Sequence, residues 1–398
     1  MTGRELSRRF YEEQVRPRIE PGLGDIPHAA SMIGDGSDVL GFDDDVSPDH
    51  DFGPRVQIVL PRGVDTTSAL AALATLPGRY AGLPVFFASP SCYSGWAEGP
   101  PGRGHGLGVT SAAALFESRL GFDPADGITL TDWLTTPTQL VATVTDGPVF
   151  HDPANLLTER RAALSWYPED VCRYVLAAGW LRVDQEQPFV GRAGGSGDDL
   201  GSAILTARLV RDLVRLAFLL ERRWAPYNKW LGRAFAGLSI AAELSPTLSA
   251  AMSATNWRER EHQLCAAAAV LVQATNGLGL AESIDPAPRQ FFTRDIRVSP
   301  AGRLVAVLTA AVTDPPVRRL IDTLGGRSDQ MPRLPGAIDQ AMDSVDVLTN
   351  PLLRRTAGPT LGLPDTGCGL GHPRAGPPPQ LPGKRSVPRG VGHDGGSR

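Results

Sequence analysis

Lysine is almost missing from this chain. Of 39 Lys+Arg residues, only Lys229 and Lys384 are lysine, and the rest are arginine. Positive charge is also outweighed, since 43 Asp+Glu leave a formal net charge of −4. That balance argues against a general nucleic-acid binder or a protein held on an anionic membrane surface. Cysteine is scarce: Cys92, Cys172, Cys265 and Cys368 lie far apart, with no CxxC and no histidine at zinc spacing. A disulfide framework and a zinc site both lose support, and free thiols in a reducing cytoplasm fit better. Long apolar runs are absent too, for "CAAAAVLVQA" (265–274) stops well short of a membrane span. The opening "MTGRELSRRFYEEQV" has no hydrophobic signal core and reads as an amphipathic helix. A cytoplasmic protein is the expectation.

Length gives room for two domains and a tail. Residues 1–153 read as α/β, with apolar strand-like runs at 55–61, 82–88 and 147–151 and a weaker one at 104–110. Helical patterns lie between them at 66–76, 110–120 and 130–144, the last with Thr131 as a cap. Residues 154–350 read as a helical domain. Its segments include 168–185, opened by Pro168 and two acids, and 198–224, with Leu205, Leu209, Leu213, Leu216 and Leu220 on one stripe. A third is 256–278, closed by Asn276-Gly277, and a short strand is expected in "RDIRV". Residues 351–398 hold no aromatic residue and are rich in Pro, Gly and Arg, a composition that predicts a disordered tail. Lys384 falls in that tail, so Lys229 is the single lysine of the folded body. A compact mobile ammonium differs chemically from a guanidinium fork, which singles Lys229 out.

Negative charge concentrates in "GSDVLGFDDDVSPDHDFGPRVQIVL" (36–60), which holds Asp38, Asp43, Asp44, Asp45, Asp49 and Asp51. In a strand, Asp49 and Asp51 would share a face while His50 pointed away. Two such carboxylates stay ionised cheaply only around a cation, and Mg²⁺ with substrate phosphate suits them. Gly34, Gly36 and Ser37 precede them in a tight loop able to turn backbone N–H groups and a hydroxyl toward phosphate. An EF-hand is excluded because no glutamate falls at the closing position. A solvated acidic loop stays open beside the metal site.

Gly36-Ser37 followed by Asp49-x-Asp51 resembles the signature of the nucleotidyltransferase-fold superfamily, which includes kanamycin and streptomycin adenylyltransferases. The wider series "GSDVLGFDDDVSPDHDFGPR", "GRAGGSGDDLGS" and "RRWAPYNKWLGRAF" resembles an uncharacterised bacterial family with such a head and a helical C-terminal half. The resemblance spans roughly residues 8–350. It implies a mixed sheet with flanking helices that holds Mg·NTP, packed on a helical bundle that completes the cleft. It also implies roles: Gly36 and Ser37 on a terminal phosphate, Asp49 and Asp51 on Mg²⁺, Lys229 on the triphosphate, and Tyr227 against the base. One position departs from the superfamily pattern. A third carboxylate belongs on a following strand, and the matching position here is Gly108, with Asp132, Glu117 or Glu186 as possible substitutes.

Other features have ordinary readings beside functional ones. Arg208, Arg211 and Arg215 share a helix face, either lining a triphosphate cleft or simply solvated. Glu186 is a candidate general base or a helix-end acid. His151-Asp152 is a pair or a structural histidine. "GRAGGSG" (191–197) lacks the strand and lysine of a P-loop and reads as an interhelical turn, with Ser196 or Asp198 as a cap. The expectation is therefore a Mg²⁺-dependent nucleotidyltransferase that uses an NTP, ATP first, and a small-molecule acceptor hydroxyl, without nucleic acid or membrane as partner. The alternative is a nucleotide-binding regulatory protein on the same fold that has lost catalysis.

Overall fold

The computed structural model describes residues 1–44, 52–86, 106–326 and 331–364. Its N-terminal half is built on a four-stranded mixed sheet. The strands of this half are β1 (Ala29–Ser31), β2 (Val56–Leu60), β3 (Arg79–Tyr80), β4 (Leu83–Pro84), β5 (Leu107–Ser111) and β6 (Val149–His151). In the main sheet the order is β5-β2-β1-β6, with β2 and β5 parallel and β1 antiparallel to both its neighbours. β3 and β4 form a separate two-stranded hairpin, so the run expected as a strand at 82–88 contributes only Leu83–Pro84 before the described chain stops at 86.

Alternation along β2 serves two cores. Val56, Ile58 and Leu60 face a cluster with Phe10, Tyr11, Val15 and Ile19, whereas Val59 faces the larger core shared with the helical half. The first of these layers is the N-terminal arm. Thr2 caps the helix Gly3–Phe10, a π-helical turn follows at Tyr11–Val15, and Arg16–Leu23 continues the arm. The amphipathic helix expected from the opening residues is thus present, and it lies on the sheet. Between β5 and β6 the segment 130–144 is two helices, Leu130–Thr135 and Thr138–Thr145, because Pro137 interrupts it. The cap is Thr129 rather than Thr131, closed reciprocally by Asp132.

The C-terminal half is largely a helical bundle. Glu169–Gly195 and Asp199–Leu220 pack along one another, and Trp257–Gly277 packs on both. Leu209, Leu213, Leu216 and Leu220 are buried and Leu205 packs at the edge, as the stripe predicts. Helix continues through most of "GRAGGSG", so the turn is confined to Ser196–Asp198, where Asp198 caps the next helix by accepting from the Gly201 N–H at 2.7 Å. Trp133, Trp166, Tyr167 and Trp224 form an aromatic cluster, with Tyr167 edge-on to Trp133 and Trp224 and the Trp166 and Trp224 centroids 4.5 Å apart. The first residues assigned by composition to the tail are helical, at Pro351–Thr356, and Arg354 is 1% exposed with a donor on the Arg119 carbonyl at 3.1 Å.

A buried ion pair fastens the loop after β1 to the start of β2. Arg55 donates to Asp38 Oδ1 at 3.0 Å, and its other terminal nitrogen donates to the Asp35 carbonyl at 2.8 Å. The Arg55 backbone N–H reaches Ser7 Oγ at 3.1 Å, tying in the first helix. Burial raises the Asp38 pKa and the Arg55 charge opposes that rise. At the other end of β1, His28 is 4% exposed and its Nε2 lies 2.9 Å from the Tyr11 hydroxyl. Burial, with the neighbouring His151 imidazole, pushes the His28 pKa down to about 4.

Two outcomes are expected. Arg55→Met strands a buried carboxylate and lowers the urea unfolding free energy by about 3–5 kcal/mol, while Arg55→Met combined with Asp38→Leu recovers a large part of the loss. For His28, the lowered folded-state pKa means that the unfolded chain binds the extra proton. Its stabilisation is complete above the unfolded value near 6.5 and is lost as pH falls toward about 4. Between pH 8 and pH 5 that loss is about 2 kcal/mol, and urea titrations of His28→Gln lack this part of the acid destabilisation.

Candidate functional site

The loop between β1 and β2 has a backbone that only glycine allows at two points. Gly36 has φ +136°, and a Cβ there would stand 2.3 Å from Asp38 Oδ1 and 2.6 Å from an Arg55 terminal nitrogen. Gly34 has φ +129°, and its Cβ would meet the Arg119 guanidinium at 2.3 Å. Ser37 opens a single helical turn, Ser37–Leu40, which ends at Gly41 in the left-handed region. Arg4 holds that turn from below, donating to the Asp38 carbonyl at 3.2 Å and the Val39 carbonyl at 2.6 Å. Arg119 pairs with the exposed Asp35 at 3.6 Å. Gly36 and Ser37 therefore sit in a loop whose shape is fixed by arginines from three other segments.

The described aspartates of the acidic stretch are bound to protein groups. Asp38 holds Arg55, Asp43 accepts the Gly3 N–H at 2.7 Å, and Asp44 lies 3.6 Å from Arg233. Asp38 Oδ2 is buried and has no hydrogen-bond partner among the described residues. Asp49 and Asp51, the expected metal ligands, lie outside the described residues. The strand itself begins at Val56, after Gly53 and Pro54.

The helix Asn228–Phe235 comes to the same loop. Tyr227 stands at its N-cap with an extended backbone, and its hydroxyl accepts from Trp230 Nε1 at 2.8 Å. Burial raises the Tyr227 pKa, and the charges of Asp35 and Asp38 add to the rise, so the phenol lies within electrostatic range of the loop. Trp230 packs on Phe42 with centroids 5.6 Å apart. Arg233 donates to the Phe42 carbonyl at 3.3 Å. Lys229 is exposed, with Nζ 4.9 Å from the Trp230 ring centre. The loop and this helix thus meet through Phe42 and Asp44 on one side and Trp230 and Arg233 on the other, with Tyr227 facing the charges of Asp35 and Asp38.

Gly108 lies on β5 opposite Gln57, and a Cβ at Gly108 would meet nothing within 4 Å. Two acids considered as substitutes have structural partners. Asp132 closes the Thr129 cap, and Glu186 pairs with Arg208 at 2.8 Å. Glu117 is exposed on the helix Ala112–Leu120. Arg211 and Arg215 are engaged as well, on Asp343 at 2.8 Å and the Asp339 carbonyl at 2.5 Å, around a cleft of about 400 Å³. Asp152 is not paired with His151. It caps the helix Thr158–Ala163, accepting from the N–H groups of Leu156, Leu157 and Thr158 at 2.8–3.0 Å. His151 lies instead against His28, ring centres 4.6 Å apart, and ligand atoms of Glu20, His28 and His151 all fall within 4.8 Å of one another. Nothing local in the sequence marks that cluster. Cys172 and Cys265 are buried free thiols with pKa values raised by burial, and so are poor nucleophiles. Among the described residues no helix is long and apolar enough to cross a membrane.

Residues 133–231 match the family described as "Domain of unknown function (DUF4037)", about a quarter of the chain. No curated protein matches. The chain is similar to a crystal structure of a nucleotidyltransferase-like protein from Exiguobacterium sibiricum 255-15, at 12% identity over 72% of this chain and 82% of that one, with a TM-score of 0.27.

Proposed function

We propose that the chain is a Mg²⁺-dependent nucleotidyltransferase that transfers the nucleotidyl group of an NTP to a hydroxyl of a small-molecule acceptor, releasing pyrophosphate. The observation that carries this reading is the contact of the Gly34–Asp44 loop, at Phe42 and Asp44, with the Tyr227–Arg233 segment. One supplies backbone N–H groups and the Ser37 hydroxyl in a turn held by arginines, and the other supplies Lys229, the only lysine among the described residues, beside the Trp230 ring. In this reading Gly36 and Ser37 take the terminal phosphate, Lys229 offsets triphosphate charge, and Tyr227 lies against the base. Asp49 and Asp51 hold the metal. Carboxylates are hard oxygen ligands that suit Mg²⁺, which when bound would offset charge developing at the α-phosphorus. The acceptor oxygen attacks the α-phosphorus and pyrophosphate leaves.

A second reading, nucleotide binding without turnover, is favoured by Gly108. No acid stands on β5, and Asp132 and Glu186 are committed elsewhere. The proposed enzyme must then manage with two carboxylates, or it is a sensor.

Calorimetric titration of Mg·ATP, Mg·GTP, Mg·CTP and Mg·UTP separates these possibilities when run beside pyrophosphate release over a panel of hydroxyl-bearing small molecules. Binding is expected only with metal, abolished by Asp49→Ala/Asp51→Ala and weakened about 10- to 100-fold by Lys229→Ala, the cost of one charged hydrogen bond. Binding by the variants equal to wild type overturns the site. Binding without pyrophosphate release supports the sensor. In that case Gly108→Asp, for which the structure has room, is expected to fold normally and raise turnover.

A further inference from the structure

We propose that Glu20, His28 and His151 form a second metal site, for a borderline transition-metal dication with Zn²⁺ as the reference ion, separate from the candidate nucleotide site. The three residues come from separate elements. Glu20 lies on the helix Arg16–Leu23, His28 just before β1, and His151 at the end of β6. Because β1 and β6 are antiparallel and Ala30 pairs with His151, the cluster gathers at the start of β1. The Gly34–Asp38 loop leaves the opposite end of the same strand. The absence of cysteine pairs weighs against a thiolate site only; here the ligand set is two imidazoles and a carboxylate.

The donor chemistry fits. Two imidazole nitrogens and one carboxylate are a three-ligand set that leaves one position open on a tetrahedral ion, and imidazole selects Zn²⁺-like ions over Mg²⁺. Zinc ligation requires neutral imidazole. Tyr11 supplies the outer partner that a ligating histidine needs. Its hydroxyl lies 2.9 Å from His28 Nε2, a hydrogen bond that orients the ring at the edge of the cluster. Ligand atoms on a tetrahedral zinc stand about 3.4 Å apart. Closing from 4.8 Å requires modest side-chain rotation, chiefly of the half-exposed Glu20. Glu20 is held by Arg16 at 2.7 Å, an exposed pair that the ion has to displace. Nearby charge includes that Arg16 and Asp152, the latter occupied by its cap. The bound ion would pin the N-terminal arm to the edge strand of the sheet.

The test uses the full chain without a histidine tag, stripped with chelator and titrated with Zn²⁺ by calorimetry and with Co²⁺ by visible absorption. One ion per chain is expected, with tetrahedral Co²⁺ bands, a Tm raised by a few degrees and no competition from Mg²⁺. Glu20→Gln and His151→Gln should each weaken binding at least about tenfold, and Tyr11→Phe about 10- to 100-fold. His262→Gln, on an exposed helix position, and Lys229→Ala should bind as wild type does. Should His151→Gln fail to fold, Glu20→Gln at its half-exposed position decides alone. No Zn²⁺ binding by the wild type, equal binding by Glu20→Gln, or loss of binding in His262→Gln overturns the proposal.

Discussion

The Arg55–Asp38 pair is the constraint on which the loop after β1 depends. Both side chains are nearly inaccessible to water, at 8% and 4% exposure. Removing two charges from water costs several kcal/mol per ion, so such a pair adds little net stability and acts mainly to specify geometry. Here it specifies a great deal. One guanidinium links the Asp38 carboxylate with the Asp35 carbonyl, while its own backbone N–H binds Ser7. Helix, loop and strand are therefore held in register by a single residue. Gly36 follows as a consequence, since the two charged groups occupy the space a Cβ would need.

Asp38, Asp43 and Asp44 are anchors: they bind Arg55, the Gly3 N–H and Arg233. Negative charge in this segment positions the N-terminal helix, the sheet and the helix Asn228–Phe235 around one turn of chain. The chain's lysine poverty belongs to the same logic. Arg4, Arg55, Arg119 and Arg233 each reach carbonyl or carboxylate oxygens at fixed angles, the work of planar forks, whereas Lys229 stands exposed with its ammonium beside Trp230.

Periodicity made much of the fold legible. The apolar run around 56–60 is a strand, the leucine stripe is a buried helix face, and the weak "GHGLGVT" signal is β5. β1 escaped notice because Ala29-Ala30-Ser31 carries none of the β-branched or aromatic residues that mark strands, although it lies centrally in the sheet. Pro137 splits one expected helix, and the helix Glu169–Gly195 runs through glycines that read as a turn, since tertiary packing overrides weak local propensity. For the candidate site, rarity pointed to Lys229 and glycine spacing to the loop. Arg55 carried no such signal. Its partner is 17 residues away and neither residue belongs to a repeating pattern. His28 and His151 were harder still, because only the antiparallel pairing of β1 with β6 brings them together.

β1 has three residues, and both candidate sites hang from it. Its C-terminal end releases the glycine loop and its N-terminal end presents His28. A strand so short can hold both only if its neighbours fix it on each side, and they do: β2 pairs along its whole length and β6 pairs across a register shift. That shift falls between Ala30 and Ser31, beside the residue paired with His151. An irregularity of this kind re-aims a side chain at a sheet edge. It turns His151 toward His28 and the N-terminal arm, and the same arm carries Ser7 and Arg4 to the loop at the other end. Anything that tightened the arm at Glu20 would thus bear on a segment that also holds the loop, which gives the two ends of one strand a shared mechanical element.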